Sequence, residues 1–311
     1  MTKLDKYKGV FPAFYACYDD EGNVSPERVE ALAKHYLDVG VRGLYIGGSS
    51  GECIYQTVEE RKLVLEHVMK AVGGKMTVIA HIAAPSTAAS VELAKHAEEQ
   101  GVDALAAIPP IYYGLSETAI EKYWTDIVMA TDKDFFIYNV PSTTGYSLSP
   151  KLYKKMLELP QVIGVKNSSA VVQDVYLLRQ AETKDAIMFY GVDEQYISGR
   201  ILGADGGIGS TYGVMPRLFM RIEEAFKNNE VTIAQELQFA INEVIFKILG
   251  CEGSLYGVMK EVIKINEGIS AGSVRQPLPK VTDSDHKEIE EIAKLIKKYE
   301  SNEFLPGEKI F

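Results

Sequence analysis

Eight short apolar runs alternate with amphipathic helical segments along the first two-thirds of the chain, and this alternation limits the fold more than any other feature. The runs are Val10–Ala16, Gly43–Ile46, Thr77–Ile82, Ala104–Ile108, Phe135–Val140, the stretch beginning at Val162, Ile187–Tyr190 and Gly206–Gly209. They are near-continuous in apolar character, as expected of strands buried on both faces of a parallel sheet. The segments between them carry helix-start signals: Ser25-Pro26, the Thr57…Glu60 capping box, Ser86, Ser116 and Ser149-Pro150. Strict β-then-α alternation over about 210 residues predicts an α/β protein, a (β/α)8 TIM barrel. A doubly wound dinucleotide fold would place Gly-x-Gly-x-x-Gly after the first strand, and that motif is absent. From Glu230 onward the periodicity is helical only. Ile233, Leu237, Ala240, Ile241, Val244, Ile245 and Ile248 form one apolar face, Tyr256, Met259, Val262 and Ile263 another, and a more charged helix falls near 284–300. The expected organisation is a barrel over 1–229 and helices over 230–311 packed on it as one structural unit.

Charge and cysteine content narrow the functional classes. The formal net charge is -10, with 33 basic residues scattered along helix faces, which argues against a nucleic-acid partner. The amino-terminal residues are polar, and neither a signal-type apolar core nor a membrane span is evident. Cys17, Cys53 and Cys251 share no metal-ligand spacing, and the five histidines show no paired motif. The expectation is a cytoplasmic protein with free thiols, no bound metal and no membrane partner.

In such barrels the chemistry sits at the C-terminal ends of the strands. The sixth run, Val162-Ile163-Gly164-Val165-Lys166-Asn167-Ser168-Ser169, ends in a lone lysine. Taken by itself, a lysine at a strand end most simply extends to solvent. If Lys166 instead points into the barrel, burial disfavours its charged form, and a neutral amine beside a ketone is a Schiff-base nucleophile. After the second strand, Gly48-Ser49-Ser50-Gly51 can be a tight turn or a cradle of amides and hydroxyls for a carboxylate or phosphate. Tyr138, closing the fifth strand, can be a core phenol or a proton shuttle. Asp193 and Glu194, after the seventh, suit both a helix N-terminus and the hydroxyls of a polyol. A clamp, a shuttle and an amine are what cleavage or formation of a C–C bond in a 2-keto acid requires. That chemistry calls for no metal or organic cofactor.

Gly47-Gly48-Ser49-Ser50-Gly51-Glu52, Tyr138-Asn139-Val140-Pro141, Gly164-Val165-Lys166 and Gly206-Gly207-Ile208-Gly209-Ser210-Thr211-Tyr212 together resemble the N-acetylneuraminate lyase and dihydrodipicolinate synthase superfamily, over the whole chain. The resemblance implies a class I, pyruvate-dependent aldolase. Lys166 would form the Schiff base and Tyr138 would be the acid/base. Ser49, Ser50 and Gly51 would hold the pyruvate carboxylate. Tyr112 matches a tyrosine that members lend to a neighbouring subunit's catalytic site, within a homotetramer built as a dimer of dimers. The synthases carry an arginine two residues after the proline of their Tyr-Asn-x-Pro motif; Thr143 stands there in this chain. The lyases carry Gly-x-Asp-Glu after strand seven, matched by Gly191-Val192-Asp193-Glu194. By that likeness Ser168, Gly191, Asp193, Glu194 and Ser210 contact the sugar chain. The pattern differs from that of many lyases at Ser50 and Ser168, where threonine is common, and in the polar Ser142-Thr143-Thr144.

The implied reaction is cleavage of N-acetylneuraminate to N-acetylmannosamine and pyruvate, in sialic acid catabolism. The nearer alternatives are a related aldolase for another 2-keto-3-deoxy sugar acid and a dihydrodipicolinate synthase-like condensing enzyme. A more distant one is a non-catalytic keto-acid sensor.

Overall fold

The computed structural model describes residues 2–301. Eight parallel strands, β1 (Gly9–Pro12), β2 (Gly43–Ile46), β3 (Thr77–His81), β4 (Ala104–Ala107), β5 (Asp134–Asn139), β6 (Val162–Asn167), β7 (Ile187–Tyr190) and β8 (Gly206–Gly209), pair in sequence order, with β8 returning to β1. An isolated parallel bridge from Ala13 to Tyr45 and the bond from Phe14 N–H to Tyr45 O join β1 to β2 and complete the ring. The TIM barrel expected from the alternation is thus the observed fold.

Helices fill the connections: α1 (Pro26–Val39), α2 (Val58–Val72), α3 (Thr87–Glu99), α4 (Glu117–Val128), the single turn α5 (Pro141–Thr144), α6 (Pro150–Met156), α7 (Gln173–Ala181), α8 (Tyr196–Ile201) and α9 (Pro216–Lys227). Ser25, Thr57, Ser86, Ser116 and Ser149 each accept a bond from the N–H three residues on, so every start signal named above caps a helix. The first strand is shorter than expected. Beyond Phe14 the chain leaves the ladder and runs along the barrel rim, where Ala16 N–H donates to Ser50 O.

Except at β6, the strands alternate between two cores. Phe11, Ile79, Ala104, Ala106, Phe136, Ile187, Phe189 and Ile208 fill the barrel, and Tyr7 plugs its floor by donating to Asp134 and to Asp103 O. Intervening residues such as Leu44, Val78, Leu105, Phe135, Ile137 and Met188 pack outward against the helices. After α9 come α10 (Val231–Leu249), α11 (Leu255–Glu267) and α12 (Asp285–Glu300). The first of these lies against the barrel mouth. Gln238 on α10 donates to Asp193 O and accepts from Ile197 N–H, and Asn242 donates to Glu194 O. The helices after residue 230 therefore help build the mouth itself. Residues 302–311 of that expected segment lie outside the described residues. Among the described residues no helix is long and apolar enough to cross a membrane, and Cys17, Cys53 and Cys251 are all free.

Candidate active site

Lys166 reaches the barrel interior because β6 breaks its own alternation. On β5 the register runs Phe135↔Val162 and then Phe136↔Gly164, so Ile163 is an extra residue in a β-bulge. Ile163 packs in the barrel core, while Val162 and Val165 both pack outward. Without the bulge, an inward Ile163 would carry Val165 inward and Lys166 outward. The bulge inverts that order. It also explains Gly164: a Cβ there would lie 2.0 Å from Ile187 O, a backbone atom of the next strand. The result is Lys166 at 5% exposure, register-paired with Tyr138 on one side and Phe189 on the other. Its Nζ lies 3.9 Å from the centroid of the Tyr138 ring and 4.5 Å from that of Tyr45.

The Ser-Ser loop is held from several sides. Ser49–Gly51 form a 3-10 turn in which Gly51 N–H donates to Gly48 O and Glu52 N–H to Ser49 O. Ser50 O accepts from Ala16 N–H. His81 Nδ1 lies 2.8 Å from Gly47 O, and Ile108 N–H approaches His81 Nε2 at 3.4 Å. The first contact needs a proton on Nδ1 and the second a lone pair on Nε2, which is the neutral ring. Burial, reinforced by the nearby Arg61 charge, pushes the His81 pKa down to about 3. Arg61 donates to His81 O and Ala83 O.

The opposite rim belongs to β7 and β8. Asp193 and Glu194 open a 3-10 turn that leads into α8, so both lie at the start of a helical segment. Asp193 is buried, and its Oδ2 accepts from Thr211 N–H at 2.8 Å and Thr211 Oγ1 at 2.7 Å. Burial pushes its carboxyl up to about 6, with the Thr211 bonds acting against the rise. Gly191 leaves room for its neighbours: a Cβ there would lie 2.1 Å from Ser168 Oγ and 3.2 Å from Lys166 Cε. Ser168 Oγ is buried without a hydrogen-bond partner, an acceptor and donor kept for something else. Tyr15 donates to Ser210 O and so fixes the loop after β8.

These elements enclose a cavity of about 260 Å³. Of the residues singled out in the sequence, Ser49, Ser50, Tyr138, Thr143, Lys166, Ser168, Gly191, Asp193, Glu194 and Ser210 line it. Gly51 does not line it, and its N–H is used inside the turn. Tyr112 does not line it either. It lies on the loop after β4, 92% exposed, with φ at 82° and its ring set edge-on to Tyr113. Among the described residues no group of three or more His, Cys, Asp or Glu side chains could hold a metal ion.

Several residues of the site escaped sequence reasoning. Tyr45 reads as one more apolar strand residue, yet its ring flanks the lysine and its buried OH has no partner. Ile245, Ile248, Leu249, Leu255 and Tyr256 come from α10 and α11 and form an apolar wall beside the polar rim. Ile245, Ile248 and Tyr256 belong to helical stripes legible as packing faces, and nothing in the spacing separates core contact from ligand contact. Thr211 lies inside a quoted motif, but its bond to Asp193 is a tertiary fact.

The sequence model of the dihydrodipicolinate synthetase family matches residues 6–296. The N-acetylneuraminate lyase of Mediterraneibacter gnavus is 52% identical over 297 residues, covering 95% of this chain and 94% of that protein. The N-acetylneuraminate lyase of Clostridium perfringens (strain SM101) is 32% identical over 290 residues, covering 92% and 99%. Among solved structures, a catalytic-lysine mutant of the Ruminococcus gnavus sialic acid aldolase superposes with a TM-score of 0.95 at 51% identity, covering 98% of this chain and all of that one.

Proposed function

We propose that this chain, which belongs to the dihydrodipicolinate synthetase family, is a Schiff-base aldolase that cleaves N-acetylneuraminate to N-acetylmannosamine and pyruvate. The observation that carries the reading is the seating of Lys166. Its amine lies on the ring of Tyr138, in one cavity with the hydroxyls of Ser49 and Ser50. Relatives at 52% and 32% identity that bear the lyase name support the choice of sugar acid. So does Thr143, a residue without the positive charge that would hold a second carboxylate.

In this mechanism the free amine of Lys166 attacks the C2 ketone of the open-chain sugar acid. Loss of water gives an iminium ion. Ser49 and Ser50 hold the carboxylate beside it. Tyr138 takes the proton of the C4 hydroxyl as its own phenolic proton passes to the substrate carboxylate. The C3–C4 bond breaks, its electron pair flows to the iminium nitrogen, and the aldehyde leaves. Protonation of the resulting enamine at C3, followed by hydrolysis, returns pyruvate and the amine. Ser168, Gly191, Asp193, Glu194 and Ser210 face the polyol chain, and the α10–α11 wall covers it. Asp193 serves in part by fixing Thr211.

The reading extends to a cytoplasmic homotetramer in which Tyr112 completes a neighbouring subunit's proton path. The 92% exposure of Tyr112 and the 74% exposure of Tyr113 support it, since such rings are more simply covered than solvated. The test is pyruvate release from N-acetylneuraminate, with 2-keto-3-deoxy sugar acids lacking the acylamino group as competitors. Comparable turnover of those acids would reject the assignment of substrate and leave the chemistry standing.

A further inference from the structure

The carboxylate-binding loop is latched from behind by a buried ion pair that reaches across the whole chain. Glu52 follows the Ser49–Gly51 turn directly and closes it with its own N–H. It adopts a left-handed backbone conformation, with φ at 50°, which a residue with a side chain takes up only where its surroundings enforce it. Those surroundings are Lys260 and Arg275. Lys260 Nζ donates to Glu52 Oε1 at 2.8 Å and to Ser273 O at 2.8 Å. Arg275 N–H donates to Glu52 Oε2 at 2.9 Å. The side chains of Lys260 and Glu52 are 1% and 0% exposed, so neither charge has water as an alternative partner. Lys260 lies on α11 four residues after Tyr256, on the same helical face. Tyr256 lines the cavity, and Lys260 grips the back of the loop that contributes Ser49 and Ser50 to the same cavity.

We propose that Lys260 is a positioning residue for the keto-acid carboxylate: by holding Glu52 it fixes the Ser49–Gly51 turn in the shape that presents Ser49 and Ser50 to the ligand. The proposal rests on the aldolase reading of the cavity. It separates two halves of the site. The carboxylate end depends on the latch directly, whereas the polar rim of the sugar end, built on β6, β7 and β8, does not; the wall over the sugar shares with the latch only the helix α11.

Condensation of pyruvate with N-acetylmannosamine reads the two ends independently. Lys260→Met leaves Glu52 buried opposite an apolar side chain, and Glu52→Gln combined with Lys260→Met removes both charges, so that a folded variant is obtained even if the first is not. In either, the KM for pyruvate rises about tenfold or more, the loss expected of a misplaced binding group. The KM for N-acetylmannosamine stays within about twofold, as a role confined to one substrate requires. Backbone amide exchange across residues 47–57 speeds up in step. Wild-type protein that traps pyruvate under borohydride, together with folded variants whose pyruvate KM is unchanged or whose two KM values rise together, overturns the latch. Wild-type protein that traps no pyruvate overturns the aldolase reading and the positioning role with it.

Discussion

Gly164→Ala isolates the device that aims the lysine. The added Cβ would lie 2.0 Å from Ile187 O and 2.9 Å from Ile187 N and C, where ordinary contact begins at 3.4 Å. All three atoms are strand backbone, so no side chain can swing aside. Either β6 retreats from β7 by about 1.4 Å, or the bulge is expelled and the register slips. Retreat costs the overpacking strain and one or two ladder hydrogen bonds at the start of the β6–β7 pairing, together about 3–5 kcal/mol. Lys166 lies two residues farther along the same strand, so its nitrogen moves with it, and a displacement of about 1 Å lowers turnover roughly a hundredfold. Urea unfolding followed by tryptophan fluorescence gives the stability loss. Pyruvate release from N-acetylneuraminate gives the loss of activity. Gly101→Ala is the control. Its φ is 80° but nothing lies within 4 Å of the new carbon, so it costs about 1 kcal/mol and leaves turnover unchanged. A Gly164→Ala protein within about 1 kcal/mol of wild type and equally active would refute the claim that the bulge and its close approach place Lys166.

Three further outcomes follow from the site. Tyr138→Phe removes the phenolic proton path and lowers kcat by roughly a hundredfold to ten-thousandfold, while borohydride trapping of pyruvate persists, because imine formation needs only the amine. Asp193 titrates near 6 when folded and near 3.8 when unfolded. The folded state therefore holds the extra proton between those values, and stability falls as pH rises through that window. Relative to Asp193→Asn, wild type loses up to about 3 kcal/mol from pH 4 to pH 7, measurable as diverging urea midpoints. His81 has the opposite sign. Its value of about 3, against an ordinary 6.5, means the unfolded chain binds the proton first, so stability falls as pH drops below 6.5. His81→Asn flattens that decline, which amounts to about 4–5 kcal/mol when complete.

The fold was legible because it is written in local signals. Five capped helix starts and eight apolar runs needed no tertiary information, and the barrel followed from their alternation. The polar residues at strand ends were legible for a related reason: Lys166, Asp193 and the Ser49-Ser50 pair are out of place in an apolar strand and its turn. What stayed hidden depends on distance in the chain. The bulge at Ile163–Gly164 is a relation between β5 and β6, and no property of β6 alone reveals that Val165 turns out so that Lys166 can turn in. Lys260 reads as one charge on an amphipathic helix until Glu52, 208 residues earlier, is seen against it. Tyr45 and the Ile245–Tyr256 wall obey core patterning; only tertiary structure puts the Tyr45 ring beside Lys166 and makes the wall cavity lining. Gly51 reads as part of the carboxylate cradle, and the turn uses its amide itself.

The central claim is that one buried amine, and no other, forms a covalent bond to pyruvate. Incubation with pyruvate and borohydride, followed by peptide mapping of the modified protein, tests it directly. The account predicts a single reduced pyruvyl adduct on Lys166 and none on Lys166→Met. An unmodified Lys166, or an adduct carried by a different lysine, would contradict it.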